Sequence, residues 1–542
     1  MLNLLLWSPL AAGVLALVAP REASRWVVLL GSVVALGLSI GLVADLSVGD
    51  AGLQHAVDES WIPDLGVRYQ LGVDGISAFL VLMTAVLWTA AVAFSALRGY
   101  PHETWRLNGG APPLRPSGSA IGERSRLYYF LVALAETAAL GAFLAQDLLL
   151  FVLFFDLMLI PFFFLIGAFG GKNRIAATTK MIVYTLVGSL LMLVAAIATA
   201  ILVSQQTGEL SFSIEYLREN LLSSGSQYWI FCFFAAAFLV KMPAFPIHGW
   251  MPDAYRAAPL PVLVLLSGVL AKVGAYGFLR VALPLFPNAT SHFQELVLIV
   301  AVASILYGSV MAFTQTNVRL VAGYSSVAQL GFITLGIFSL RPEGADGAVL
   351  QMVNHGLVVA GVFLIIAVLY ERSQTEDLRR MGGLAKRAPV LAALFLVVTM
   401  ATLAIPGSSN FIGEFYILNG IFQSKIAFAL IASIGVVLAA FYALRMYQRT
   451  MHNEPPEGLE SREIAWTEGL VVAPLVAVIV ALALWPGLIL DRGEAAVNNS
   501  LAAVSGDEST IAEQQAEIRR RPNVLVTHES DKASIAAAGA SR

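Results

Sequence analysis

The sequence predicts an all-α polytopic membrane protein of about fourteen transmembrane helices, with two inverted five-helix repeats and one broken helix in each. Three observations point there. The 542-residue chain is 58% hydrophobic and only 13% charged, with a mean hydropathy of +0.76, far too apolar for a soluble domain of this size. Its apolar segments recur in windows of about 20 residues, the length that crosses a bilayer. Of the 33 Lys and Arg residues, 20 fall in alternate loops and only five in the opposite set. That bias supports the spacing of the spans and assigns the basic loops to the cytoplasm.

The spans run near 2–19, 26–46, 76–97, 127–144, 147–169, 176–203, 228–249, 259–283, 293–313, 318–339, 348–370, 390–421, 426–447 and 466–490. The first is preceded by no basic segment, its first charge being Arg21, so it reads as a retained helix and not a cleaved signal peptide. Spans one to three occupy 1–97. Residues 98–126, which include RLNGGAPPLRPSGSA, read as an irregular Pro/Gly-rich cytoplasmic loop. Spans four to eight (127–283) and nine to thirteen (293–447) each make a five-helix unit, and an odd number of crossings inverts the second relative to the first. The last span covers 466–490, and 491–542 is a polar tail expected to be largely disordered, with EQQAEIRRR hinting at a short helix. An even number of crossings puts both termini outside, together with the acidic loops 47–75 and 205–227.

Charges inside the spans narrow the function. Lys241 and Lys272 lie within long apolar stretches, as do Asp156 and Glu414. A charge near the bilayer centre costs about 2.5–3.5 kcal/mol, so four unpaired ones would cost roughly 10 kcal/mol. They must meet each other, water or both, and such a row marks a proton or ion path. Two spans are also interrupted, by KMPAFP (241–246) and by IPGSSN (405–410). Proline, glycine and small polar residues break the helical ladder, and the freed carbonyls need polar partners. Either break alone reads as a proline kink; each lies beside an intramembrane charge, Lys241 or Glu414, which favours a transport path.

Other chemistries find no support. The single cysteine, Cys232, excludes a disulfide framework, and no Cys/His cluster has metal or iron–sulfur spacing. No Gly-rich phosphate loop follows a strand, so nothing suggests nucleotide or nucleic-acid binding. Any redox chemistry must take place on another chain.

The stretch LVKMPAFPIHGWMPDAYRAAPLPVLVLLSGVLAKVGAYGFLR (239–280) resembles the core signature of the antiporter-like subunits of respiratory complex I, NADH:quinone oxidoreductase. LGVDGIS (71–77), LLLFVLFFDLMLIPFFFLIG (148–167), YSSVAQLGF (324–332) and NFIGEFYILNG (410–420) extend the likeness over spans three to thirteen. Glutamate in the second broken helix and the SGVLAKVGAYG context are similar to the M branch; the L and N branches usually carry lysine there. The resemblance implies a proton-translocating subunit of that enzyme in the bacterial inner membrane, flanked by L- and N-type homologues, with FMN, iron–sulfur clusters and quinone on other subunits. A multisubunit cation/proton antiporter chain, or the membrane arm of a hydrogenase, is the alternative. A passive scaffold is disfavoured by the row of buried charges.

The resemblance also implies roles for individual residues. Asp156 matches the acid that pairs with the lysine of the first broken helix, Lys241. Lys272 matches the connecting lysine, His355 the central-axis histidine, and Glu414 the terminal proton-exchanging acid. The family normally has Glu at the position of Asp156, and the shorter arm loosens the ion pair unless backbone or water compensates. Glu136, at similar depth on the preceding span, offers a second carboxylate. Gln329 stands where relatives often have histidine, and it cannot titrate. NVRL (317–320) replaces the Asp-x-Lys-Arg that usually precedes YSS. His248 and Asp253, at the cytoplasmic end, feed protons inward or solvate a turn. Ser325 and Ser326 read as packing hydroxyls with water contacts. A carboxylate beside a buried ammonium favours its charged form, so withdrawing that carboxylate favours proton release.

Overall fold

The computed structural model describes residues 1–99, 118–454 and 462–505, and Met1–Val504 forms one unit. Eleven helices among the described residues are long and apolar enough to cross a membrane, and two shorter apolar helices, Leu2–Val18 and Pro389–Thr402, join them. Their packing is graded. The helical segments Leu260–Leu285, Val318–Ile337 and Pro342–Ser373 are buried along the whole of their most apolar stretches, whereas Arg21–Ala44, Arg174–Thr207 and Ile426–Met451 expose much of theirs. The buried three form an inner group, and they carry Lys272, Gln329 and His355.

Both expected interruptions are present. The helix Ser224–Lys241 stops at Lys241, and the chain resumes helical structure at Met251–Ala257. Freed backbone groups are met locally: Trp250 Nε1 donates to Val240 O (2.9 Å), and Ser304 Oγ accepts from Phe245 N (2.9 Å). The second break separates Pro389–Thr402 from Ser409–Ser424. There Ala404 (φ 53°) and Gly407 (φ 93°) take left-handed conformations that end one helix and start the next.

Three expectations need correction. The fold is not purely helical, because Gln54–Ile62 and Val67–Val73 pair as an antiparallel hairpin inside the segment read as an acidic loop. These strands are short and polar, so hydropathy passes over them. Asp147 ties the hairpin to the bundle: it accepts from Arg68 N (3.1 Å) while capping the helix Leu148–Leu157 through Leu149 N and Leu150 N. Next, the segment 98–126 is not loop throughout, since a helix begins at Gly118 and runs to Leu144; residues 100–117 lie outside the described part. Finally, the tail assigned to 491–542 begins as ordered helix. The last span stops at Leu484, and Gly487–Ser505 follows. This helix buries Ala496, Val497 and Leu501 and runs so close over Gly75 that a Cβ there would collide with Arg492 O. The EQQAEIRRR segment lies outside the described residues.

Ion pairs tie both ends of the bundle. At one end Asp74, from LGVDGIS, caps the helix Ser77–Leu97 through Ile76 N and Ser77 N and accepts from Arg280 Nη2 at 2.5 Å. Arg280 Nε donates to Tyr276 Oη (3.0 Å), which donates to Phe143 O (3.1 Å). At the other end Arg372 makes five hydrogen bonds: two to the Glu468 carboxylate (3.2 and 2.8 Å) and one each to Val368 O, Arg462 O and Glu463 O. Arg98 bonds both Glu468 and Glu371. Glu463 accepts from Val390 N, Leu391 N and Ile464 N (2.9, 3.1 and 2.8 Å). This clasp joins the ends of four helices.

Two outcomes follow from the clasp. The Arg372 and Glu468 side chains are fully buried, so Glu468→Ala strands a buried guanidinium and destabilises the fold by about 3–5 kcal/mol, read as a lower thermal midpoint and yield of assembled complex. Burial opposes ionisation of Glu463, but the amides of Ile464, Val390 and Leu391, with Arg372, outweigh it and hold the carboxyl below its usual range. Its contribution is therefore complete above the unfolded carboxylate value of about 4.3 and is lost as pH falls through the lower folded value. Glu463→Gln is less stable at neutral pH and lacks that acid-side slope in a thermal-midpoint series.

Candidate proton path

Lys241 ends the helix Ser224–Lys241, where the helix macrodipole favours a cation. Its Nζ donates to Phe155 O (3.0 Å) and stands 4.2 Å from the centroid of the Phe155 ring. Asp156 is the next residue, close enough to interact electrostatically, yet the two make no direct ion pair. Asp156 Oδ1 has no hydrogen-bond partner among the described residues, and neither does the hydroxyl of Ser189 beside it. The backbone carbonyl thus takes the ammonium that the short carboxylate arm does not reach. Asp156 is only half-buried, between the exposed Leu153 and Ile160.

Lys272 is fully buried and has no acidic partner among the described residues. Its Nζ donates to Ser267 O at 2.7 Å. That carbonyl belongs to a π-helical segment, Leu266–Leu270, which a second, Phe278–Ala282, follows beyond Lys272. Wider π turns shift the ladder register, so a carbonyl five residues back can face the lysine. Neither π segment is visible in hydropathy. Ser267 Oγ lies 3.2 Å from Ser326 Oγ, which also donates to Ala322 O (3.0 Å); Ser325 Oγ donates only to that carbonyl (2.8 Å).

His355 is 3% exposed, and neither ring nitrogen has a hydrogen-bond partner among the described residues. Lys272 is the charge that acts on it. The two helices touch closely here: a Cβ on Gly356 would fall 3.0 Å from Gly268 O. Asn354 immediately precedes His355 and Gln351 lies one helical turn back, two residues that sequence reasoning missed. Their signal was available, because Gln351, Asn354 and His355 follow the i, i+3, i+4 spacing of one face on an otherwise apolar helix.

Glu414 is reached through amides. Gln329 Nε2 donates to Glu414 Oε1 (2.7 Å), and Gln351 Nε2 donates to Gln329 Oε1 (2.7 Å). Asn354 Nδ2 donates to Ser409 O (2.8 Å) at the second helix break. Around this chain several buried polar atoms lack partners among the described residues: both Asn410 side-chain atoms, the Ser408 and Ser409 hydroxyls, Asn354 Oδ1 and Tyr442 Oη. Buried unpartnered groups at this density are unusual.

The remaining candidates fall elsewhere. Glu136, fully buried, accepts from Ser32 Oγ at 2.6 Å and has no bond to Asp156 or Lys241. His248 is packed among the rings of Phe245, Tyr307 and Tyr324. Asp253 is ion-paired with Lys180 at 2.8 Å. At the NVRL corner Asn317 caps its helix through Arg319 N and Leu320 N, and Arg319 pairs with Glu376 at 2.5 Å. Among the described residues no group of three or more His, Cys, Asp or Glu could hold a metal.

This geometry can be set beside known proteins. The profile described as NADH:quinone oxidoreductase/Mrp antiporter, TM, matches residues 145–441. NADH-quinone oxidoreductase subunit M of Rhodobacter capsulatus is 36% identical over 532 residues, covering 95% of this chain and 99% of the relative. The chain belongs to this family, in its subunit M branch. A chain of respiratory complex I from Thermus thermophilus with bound NADH superposes with a TM-score of 0.81 at 31% identity, covering 93% of this chain and 100% of that one. A chain of the Mrp complex from Dietzia shares the fold alone, with a TM-score of 0.78 at 22% identity over 93% of this chain and 98% of that one. The stretch matching this profile, residues 145–441, holds both helix breaks and all of Asp156, Lys241, Lys272, His355 and Glu414; Glu136 lies outside it.

The amide chain to Glu414 yields a test. A Cβ on Gly413 would collide with Gln351 Oε1, so Gly413→Ala displaces Gln351 from Gln329 while leaving the helix intact. Proton uptake by inverted vesicles is expected to fall several-fold with assembly preserved. Unchanged uptake shows that the amide chain is dispensable.

Proposed function

We propose that this chain is a proton-translocating, antiporter-like subunit of NADH:quinone oxidoreductase, which moves protons with energy from electron transfer on other subunits. The observation that carries this reading is the row of ionisable and amide side chains through the inner helices, Lys241, Lys272, His355, Gln351, Gln329 and Glu414, with a broken helix at each end. In hydrocarbon such a row is retained for transport, because packing alone would favour apolar residues.

Lys241 holds the proton on the input side. With the Asp156 carboxylate drawn near, the ammonium form is favoured; with it withdrawn, Phe155 O alone is a weaker partner and the proton leaves. Lys272 and His355 relay the change along the membrane plane. The unpartnered hydroxyls and amides at the second break hold water that links Asn354 and Asn410 to Glu414, the exchange group on the far side. Gln329 orients Glu414 by hydrogen bonding and carries no proton itself. His248 and Asp253, with Ser325 and Ser326, lie on the input side as accessory groups, and Glu136 is a separate buried carboxyl held by Ser32.

The arrangement that goes with this reading has fourteen crossings, inverted repeats at 127–283 and 293–447, basic loops in the cytoplasm of a bacterial cell and both termini outside. The chain sits between L- and N-type homologues, and FMN, iron–sulfur clusters and quinone belong to other subunits. Export of one charge against 100 mV costs about 2.3 kcal/mol, which must arrive through those contacts.

Lys241→Ala is expected to abolish most proton uptake in inverted vesicles and most coupled NADH:quinone turnover, with the complex assembled on a native gel. Glu414→Gln keeps shape and hydrogen bonding, cannot carry a proton, and is expected to block uptake; Glu414→Asp retains part of it. Wild-type pumping by assembled Lys241→Ala or Glu414→Gln complex overturns the assignment of that residue.

A further inference from the structure

At the end that carries the basic loops, the turn Gly171–Asn173, the helix Met251–Ala257 and the start of Val318–Ile337 surround a cavity of about 610 Å³, within the usual range for a small-ligand site. Its walls carry four cations, Lys172, Lys180, Arg256 and Arg319, against two acids, Asp253 and Glu376. Both acids are engaged: Asp253 pairs with Lys180 at 2.8 Å, and Glu376 pairs with Arg319 at 2.5 Å and accepts from Asn317 Nδ2 at 3.0 Å. Lys172 and Arg256 have no carboxylate within 4 Å among the described residues. Arg319 is only 4% exposed, and its Nε has no acceptor among them. The cavity therefore has two uncompensated cations and a buried guanidinium N–H to spare.

The same helix that borders this cavity gives it an apolar extension. Arg174–Thr207 begins at the cavity wall with Ala176 and Ala177 and turns Ile175, Val183, Leu186, Val187 and Leu190 outward, all exposed. An occupant that satisfies both features has an anionic head and an acyl tail. A zwitterionic head fits poorly, because its ammonium would need a free carboxylate and the two on the wall are taken.

We propose that this cavity binds the phosphate-bearing headgroup of an anionic phospholipid, with Lys172 and Arg256 as its principal contacts and an acyl chain along the outer face of Arg174–Thr207. The proposal does not rest on the proton path, although Asp253, an accessory input-side group there, lies on the cavity wall. Basic pockets between transmembrane helices favour such headgroups, and each cation near the surface contributes roughly fivefold in affinity.

The assembled complex, wild type and Lys172→Gln/Arg256→Gln, is placed in nanodiscs of phosphatidylcholine with increasing phosphatidylglycerol, and retained lipid is counted by native mass spectrometry. Both side chains are exposed, so assembly is expected to persist; Lys386→Gln, at an exposed basic site outside the cavity, controls for general charge. The expected result is retained phosphatidylglycerol in wild type and in Lys386→Gln, and binding roughly 25-fold weaker in the double variant. Retention that is equal in the double variant, or equal for phosphatidylcholine, overturns the proposal. Displacement of the lipid by millimolar inorganic phosphate also overturns it, assigning the cavity to a free anion.

Discussion

The cost of placing polar groups in an apolar interior organises this molecule. Most of the bundle follows the ordinary solution, with helices that satisfy their own backbone and apolar side chains between them. The inner helices depart from it at considerable expense, since Lys241, Lys272 and Glu414 are all almost completely buried. Among the described residues none of the three makes a direct ion pair. Lys241 and Lys272 rest on the backbone carbonyls of Phe155 and Ser267, and Glu414 rests on an amide. Neutral dipoles hold a charge less firmly than a counter-ion would, which is the feature on which the proposed proton path rests.

The two carbonyls lie where the backbone changes: Phe155 O in the last turn of Leu148–Leu157, and Ser267 O in a π segment. Helix breaks at Lys241 and Leu403–Ser408, and the π segment 266–270, each shift or release main-chain groups at a charged side chain. Rigid ties sit elsewhere, at the ends of the bundle, in the Asp74–Arg280 pair and the Arg372–Glu468–Arg98 clasp. There the partners are true counter-ions, several with bidentate or capping geometry, and the guanidinium of Arg372 is fully satisfied. Firm ion pairs thus stand at both ends, with the singly bonded charges between them.

Sequence by itself determined the class of the fold and most of the charged row. Hydropathy and basic-residue bias depend on the bilayer as solvent, which acts on composition over windows of 20 residues and so can be read without coordinates. The breaks at KMPAFP and IPGSSN were legible for the same kind of reason, because proline and glycine act locally on the ladder. Only tertiary structure decided which partners those charges have. The hairpin at 54–73, the π turns around Lys272 and the helix Gly487–Ser505 owe their form to contacts with distant segments, such as Asp147 against Arg68 and Gly75 beneath Arg492. The Gln351–Gln329–Glu414 chain likewise joins three helices that local pattern cannot bring together. And the arm of Asp156, one methylene shorter than glutamate, is plain in the sequence, but that Phe155 O takes its place on Lys241 is a matter of ångströms between helices.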